Sequence, residues 1–301
     1  MKRIAIVCPV FNEEEAIPLF HARLERALAG CAGYEFELLF TNNCSTDRTL
    51  DVILELRQRD PRVQVLTFSR NFGYQASVLA GLRHARGDAM VVIDVDCEDP
   101  PEMIPRFIAE WEGGMDIVYG RREGRPEHAA ILFMRRAFYR LNRLIADNDI
   151  ILDMAEFSLV ASHVRDAMLD NDSTYPFLRG EIAYVGFRRK AIPYDREKRI
   201  CGQSHYNFSR MVEFAIGGIL SSTTFPLRLA VYVLPLMLAL DLYLACSARG
   251  DLSLLVGSAL GYLMFCAGML CLYLARTYKN GVRRPVFIVD WRRSTLERSR
   301  G

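Results

Sequence analysis

Met90-Val91-Val92-Ile93-Asp94-Val95-Asp96 is a short apolar run that closes on two carboxylates. Met90–Ile93 reads as a buried β-strand. Period-two geometry points Asp94 and Asp96 the same way at its end. Two close carboxylates repel unless a cation sits between them. A divalent metal holding a diphosphate meets that need, because Mg²⁺ is usually bound by one or two carboxylates plus phosphate oxygens. Glu98 adds a third oxygen ligand. Asp94, Asp96 and Glu98 are therefore the candidate metal ligands, with Mg²⁺ or Mn²⁺ as the cofactor. An Asp-x-Asp pair alone also occurs on many solvated loops; its position after a strand gives it weight.

The same alternation extends outward from this strand. Ile4–Val10, Phe36–Phe40 and Val63–Phe68 are the preceding strands, and Ile117–Tyr119 is the following one. Asn12 is expected to cap a helix whose first turn carries Glu13, Glu14 and Glu15. Ser45 and Asp47 open a helix ending before Pro61. Tyr74–Arg86 is helical and closed by Gly87. Pro100 and Pro101 start a helix running to Gly113. Strands alternating with helices predict an α/β fold, Rossmann-like, with a mostly parallel sheet and helices on both faces. Ligands bind beyond the carboxyl ends of such strands. Attention falls on Pro9–Glu13, Thr41–Asp47, Asp94–Asp99 and Gly120–Arg122. From 128 to 222 the pattern is less regular, with a long helix near Ala129–Ala146 and a strand-like Ala183–Arg188. Met211–Leu220 is expected to lie in a membrane interface as an amphipathic helix.

Composition changes near Arg228. Leu229–Ala248 is apolar except for Asp241, and Leu252–Ala275 carries no charge. Each run can cross a hydrocarbon core of about 30 Å as a helix. Arg249-Gly250-Asp251 is the only break, so the pair predicts an antiparallel transmembrane hairpin. Arg228 precedes it; Arg276, Lys279, Arg283 and Arg284 follow. Positive charge on both flanks places both ends, and the N-terminal domain, in the cytoplasm. The competing reading is a buried helical pair in a soluble protein. Asp241 is expected to pair with a neighbouring subunit or to lie near the far interface. Gly257 and Gly261 permit close helix contact. The resulting plan is a catalytic domain over 1–203, an interfacial region over 204–227, two transmembrane helices over 228–276 and a basic tail over 277–301.

Bulk numbers exclude several classes. Among 301 residues, 38 Lys+Arg stand against 36 Asp+Glu, which gives no support to nucleic-acid binding. The 8 cysteines form no CxxC pair, so zinc and a disulfide framework are not expected. The apolar run after Met1-Lys2-Arg3 is too short for a secretory signal.

Four strings occur in order: Cys8-Pro9-Val10-Phe11-Asn12-Glu13-Glu14, Asn42-Asn43-Cys44-Ser45-Thr46-Asp47, Ser69-Arg70-Asn71-Phe72-Gly73 and Asp94-Val95-Asp96-Cys97-Glu98-Asp99-Pro100-Pro101-Glu102. Phe177-Leu178-Arg179-Gly180, Arg199-Ile200-Cys201-Gly202-Gln203-Ser204-His205-Tyr206 and Ser222-Thr223-Thr224-Phe225-Pro226-Leu227-Arg228 follow. Together they resemble family 2 glycosyltransferases of the GT-A fold. Within that family the nearest likeness is to polyprenyl-phosphate glycosyltransferases, the group of dolichyl-phosphate mannose synthases and bactoprenol glucosyltransferases. The resemblance implies a nucleotide-sugar donor (a UDP- or GDP-sugar), a polyprenyl phosphate acceptor and a lipid bilayer. It assigns Pro9, Phe11, Glu13 and Asn42 to the base and ribose of the donor, and the metal to Asp94, Asp96 and Glu98. Arg122 approaches donor phosphates. Arg199, Gly202 and Ser204 close over diphosphate and lipid phosphate, with Arg179 and His205 on the acceptor side.

The chain departs from that pattern in three places. Asn42-Asn43 stands where the family commonly has two aspartates, so uncharged amides face the base. His205 replaces a common Lys, which makes that cation titratable. Ala155-Glu156-Phe157-Ser158-Leu159 keeps a carboxylate but loses an arginine. The implied reaction is an inverting in-line displacement in which metal and arginine offset the charge of the leaving diphosphate. A phosphate acceptor, largely dianionic with a second pKa of about 6, does not strictly need a base. Asp96, Glu156 and Arg199 are the candidate catalytic residues, Glu156 as a base or acceptor-positioning group. Two other readings stay open: a processive polysaccharide synthase of the same fold, and a catalytically silent GT-A-like membrane scaffold. The hairpin and its glycines also suit a homo-oligomer.

Overall fold

A computed structural model describes residues 1–123, 151, 154–171, 174, 176–200, 223–247 and 252–297. Two compact units divide the chain. Met1–Leu132, Ile151–Asn207 and Pro285–Gly301 form one; Phe133–Ile150 and Phe208–Arg284 form the other.

The first unit is built on a seven-stranded sheet in the order β3-β2-β1-β4-β6-β5-β7. The strands are β1 Lys2–Val10, β2 Tyr34–Asn42, β3 Val63–Thr67, β4 Ala89–Val92, β5 Ile117–Glu123, β6 Met154–Ala161 and β7 Arg189–Asp195. β1 to β4 run parallel, as expected of near-continuous apolar runs buried on both faces. β6 runs antiparallel to both β4 and β5, which makes the sheet mixed. Helices α1 Ala16–Leu28, α2 Thr49–Arg59, α3 Tyr74–His84, α4 Ile104–Glu112, α5 Ser162–Leu169 and α6 Leu178–Val185 pack around it. Alternate residues of β1 serve opposite faces. Ile4, Ile6 and Cys8 join Phe20 of α1 and Phe107 of α4. Ala5 and Val7 join Val78 of α3, Val164 of α5 and Ile182 of α6. α3 lies so close to the sheet that a Cβ on Gly81 would stand 2.1 Å from Val7 Cγ1.

Three local expectations are corrected. Asn12 does not cap a helix; α1 starts at Ala16 without a side-chain cap. Asn12 is instead spent on the neighbouring loop, where its Oδ1 accepts Thr46 N–H at 2.8 Å. α3 ends at His84 rather than Arg86, and Gly87 is needed for close backbone approach: a Cβ there would sit 2.8 Å from Arg3 O. Ala183–Arg188 is not a strand, because Leu178, Ile182 and Ala183 bury one helical face up to Val185. His84, in the last turn of α3, packs edge-on against Phe287 and Trp291.

That last contact belongs to a segment expected to be part of a basic tail. Phe287 stacks on Phe68 at 5.6 Å. Asp290 N–H donates to Thr67 O at 2.8 Å, and Thr295 N–H to Val65 O at 2.9 Å. Val65 N–H and Thr67 N–H donate to Thr295 Oγ1 and Ser294 Oγ. The outer edge of β3 would otherwise present unpaired backbone groups, and this segment satisfies them.

The second unit contains α7 Phe225–Cys246 and α8 Leu252–Val282, of 22 and 31 residues. Both are long and apolar enough to cross a membrane, and neither has a buried residue. The helices are tied by polar contacts. Ser258 Oγ donates to Asp241 Oδ1 at 2.5 Å, Tyr262 OH to Ala230 O at 2.6 Å and Tyr273 OH to Thr223 O at 2.8 Å. Asp241 thus has a partner within its own hairpin. The long helix expected near 129–146 and the interfacial stretch 211–220 lie outside the described residues.

Candidate active site

The loops past β1, β2 and β4 share a backbone signature. Asn12 (φ 56°), Cys44 (φ 60°) and Cys97 (φ 56°) all occupy the left-handed region without being glycine. Such residues cost on the order of 1 kcal/mol or more and gather at functional sites. Cross-loop bonds hold them in place. Asn12 N–H donates to Ser45 Oγ at 3.0 Å, and Ser45 N–H to Asn42 Oδ1 at 3.0 Å. Glu98 N–H donates to Asp96 Oδ1 at 3.0 Å.

These loops gather acidic groups. Tyr74 OH donates to Asp94 Oδ1 at 2.9 Å. Burial, with repulsion from Asp96, Asp99 and Glu156, pushes the Asp94 carboxyl up to about 7. Burial also raises the Asp96 carboxyl, opposed by Arg199. Arg199 Nη2 lies 2.9 Å from Asp96 Oδ2, and its Nη1 3.4 Å from Glu13 Oε1. Burial raises the Glu13 carboxyl against the pull of the same guanidinium. Glu98 pairs with Arg196. Arg122 is held by Asp99, 3.2 Å from both carboxylate oxygens, and by Tyr194 OH at 3.1 Å.

Glu156 enters from β6. Its Oε1 accepts Arg179 Nε at 2.8 Å and Gln75 Nε2 at 3.3 Å. Its Oε2 is buried and has no hydrogen-bond partner among the described residues. Gln75 also accepts Leu178 N–H at 2.9 Å, so the start of α3 fixes the start of α6.

The fold therefore joins Glu13 and Asp96 through Arg199, pairs Glu98 with Arg196, Arg122 with Asp99 and Glu156 with Arg179, and sets Asp96, Asp99 and Glu156 near enough to act on the Asp94 charge. Pro9 is buried at the end of β1, and Phe11 is half-buried just past it. Asn42 is fully buried. Its Oδ1 stabilises the Ser45 turn, while its Nδ2 has no partner among the described residues. Gly202, Ser204 and His205 lie outside the described residues. Sequence reading assigned no role to Tyr74, Gln75, Asp99 or Tyr194. Tyr74 and Gln75 directly follow the Asn71-Phe72-Gly73 string, and Asp99 lies inside the acidic one, so proximity to quoted motifs was the available signal. Tyr194 on β7 offered none.

The donor set suits a hard divalent cation. Burial, and then repulsion from Asp96, Asp99 and Glu156, raises the Asp94 carboxyl, and a dication would relieve that repulsion. A different acidic group, His21, Glu25 and Asp60, has its ligand atoms within 4.8 Å of one another. There Arg62 already grips Asp60 and Glu25 at 2.8 Å and 2.7 Å, so the charge is met by protein.

A mixed α/β sheet with carboxylates and guanidiniums at its strand ends is the sugar-transferring domain that the sequence resemblance implied. The model of the family described as Glycosyl transferase family 2 matches residues 5–161, and the chain belongs to that family. It is 35% identical over 302 residues to the prophage bactoprenol glucosyl transferase homolog of Escherichia coli (strain K12), covering 95% of this chain and 98% of that protein. It is 34% identical over 301 residues to the bactoprenol glucosyl transferase of Shigella phage SfV, again covering 95% and 98%. The uncharacterized glycosyltransferase YkcC of Bacillus subtilis (strain 168) is 36% identical over 300 residues, covering 95% and 93%. Among solved structures, a mannosyltransferase from Pyrobaculum calidifontis in complex with GDP-Man and Mn²⁺ is similar with a TM-score of 0.45. Identity there is 16%, over 93% of this chain and 87% of that one.

Proposed function

We propose that this chain is a membrane-bound, inverting, metal-dependent glycosyltransferase that moves a sugar from a UDP- or GDP-sugar to a polyprenyl phosphate. The observation that carries the reading is the cluster of buried carboxylates and paired guanidiniums at the carboxyl ends of β1 and β4 and the adjoining amino end of the antiparallel β6. Near-full-length similarity to bactoprenol glucosyl transferases, reaching through the apolar hairpin, supports a lipid phosphate as acceptor. The apolar hairpin and its positive flanks support a cytoplasmic-membrane location with the 1–203 domain facing the cytoplasm.

Asp94 and Asp96, with Glu98 beside them, are the groups that would hold Mg²⁺ or Mn²⁺. When bound, the ion supplies charge that stabilises the leaving diphosphate. The remaining roles belong to the chain's own side chains. Pro9, Phe11, Glu13 and Asn42 border the base and ribose. Arg122, oriented by Asp99 and Tyr194, faces donor phosphate. Tyr74 orients Asp94. Arg199 and Arg179, with Ser204 and His205, offset the acceptor phosphate, since two anions must meet in one site. Glu156 offers an unpartnered oxygen that accepts a hydrogen bond from acceptor or sugar. The acceptor's phosphate oxygen attacks the anomeric carbon, and the bond to the nucleoside diphosphate breaks on the opposite side.

Purified protein incubated with Mg²⁺ or Mn²⁺, a panel of nucleotide sugars and undecaprenyl phosphate tests the reading. A lipid-linked monosaccharide is expected. Polymer would favour a processive synthase, and absence of both turnover and donor binding would favour a silent scaffold.

A further inference from the structure

The segment from Arg196 to Ile200 is strapped onto the acidic loop after β4. Glu197 N–H donates to Glu98 O at 2.9 Å, and Ile200 N–H to Asp96 O at 3.1 Å. Side chains reinforce the strap: Arg196 pairs with Glu98, and Arg199 bridges Asp96 and Glu13. Its outer side is fastened by Arg23, which grips Glu197 at 2.8 Å and Glu102 at 2.7 Å. Asp96 is only 6% exposed, so its charge needs a partner whether or not a donor is present.

We propose that Arg199 is the resting counter-ion of this site, standing where a divalent cation would bind Asp96 and yielding that place as metal and nucleotide enter. The inference rests on the reading that Asp96 is a metal ligand. Two cations on one carboxylate oxygen repel, so an ion reaching Asp96 Oδ2 must displace the Nη2 now 2.9 Å away. The displaced guanidinium then meets an arriving diphosphate, an anion it can grip bidentately. Arg199 thus balances the Asp96 charge until a cation takes that place, and is then free for phosphate.

The alternative is that Arg199 merely braces Asp96. The two roles differ in sign. A brace, when removed, leaves the carboxylate poorly held and weakens cation binding. A competing counter-ion, when removed, strengthens it. The test is a Mn²⁺ titration of the full chain in detergent, followed by electron paramagnetic resonance, without nucleotide. Arg199→Gln is expected to bind Mn²⁺ about tenfold more tightly than the parent, the scale of one charge-assisted hydrogen bond removed from competition. Unchanged or weaker binding overturns the proposal. Should that variant fail to melt cooperatively, Glu197→Ala loosens the strap from an exposed position away from the ion. It is expected to tighten Mn²⁺ about two- to threefold, roughly half the logarithmic effect, and no change overturns the proposal. Failure of the parent to bind Mn²⁺ even with saturating UDP or GDP would instead remove the metal reading itself, and this inference with it.

Discussion

β1 and α8 are both nearly unbroken apolar runs, yet only β1 is covered by protein. Ile4 to Val10 is buried at every position between two layers of helices. In α8, Met264 is 75% exposed and no residue is buried. Apolar area of that extent is not left to water by a soluble monomer. The hairpin is thus long and apolar enough to cross a bilayer, and the two regions handle their carboxylates differently. In the α/β unit, Asp96 is paired with a guanidinium. In the hairpin, Asp241 takes a neutral serine hydroxyl, enough to fix the register of two helices.

The strongest test of this contrast is at the charged end of the α/β unit. Asp96→Ala is expected to cut sugar transfer by about a thousandfold or more while leaving the melting transition in place. Full activity in that variant would detach the site from the strand-end carboxylates. Next in size is one substitution made in both regions. Gly81→Ala places a Cβ 2.1 Å from Val7 Cγ1, and overpacking of this kind costs about 1–3 kcal/mol. Gly261→Ala meets nothing within 4 Å and should shift stability by no more than about 0.5 kcal/mol. Thermal melts in detergent compare them directly. A large loss at Gly261 would break the contrast, because it would mean a second copy covers that face.

Acid stability separates the regions further. Burial alone would raise the Asp60 carboxyl, but hydrogen bonds from Arg62 and His21 bring it down to about 2. A folded-state value below the unfolded one stabilises above the unfolded value and stops doing so as pH falls through the folded one. Asp60 should therefore contribute about 2 kcal/mol at neutral pH, lost between about pH 4 and 2. Melting of Asp60→Asn against pH should lose that slope. An unchanged slope would place acid sensitivity elsewhere. Smallest of all, Ser258→Ala should cost about 1 kcal/mol or less in the same melts, since hydrogen bonds between membrane helices are modest. A collapse of the fold in that variant would make the Asp241 contact a requirement rather than a register pin.

Legibility followed burial symmetry. β1 to β4 were readable because strands buried on both faces are apolar at every position. β6 was not, because Glu156 and Ser158 interrupt it; their burial is tolerated only through Arg179, Gln75 and a backbone carbonyl. α6 was mistaken for a strand over Ala183–Arg188, where Tyr184, Val185 and Phe187 favour extended backbone. Packing of Leu178 and Ile182 decided otherwise. The docked segment after α8 was hidden because its apolar residues Phe287, Val289 and Trp291 are few. Their meaning depends on an open strand edge more than 200 positions away in sequence.

At the site, the acidic string and the arginines were visible in the sequence, because residue type alone reports charge. Which arginine meets which carboxylate was not. Arg199 reaches Glu13 and Asp96, and Arg122 reaches Asp99 and Tyr194, across gaps that no local pattern encodes. The chain's own order thus determined a parallel α/β core, two helices fit for a bilayer and a metal-suited acidic loop. Tertiary structure alone decided the antiparallel strand that delivers Glu156, the cover on β3 and the pairing of charges. Those depend on distances between remote segments, whereas the former depend on how each segment meets its solvent.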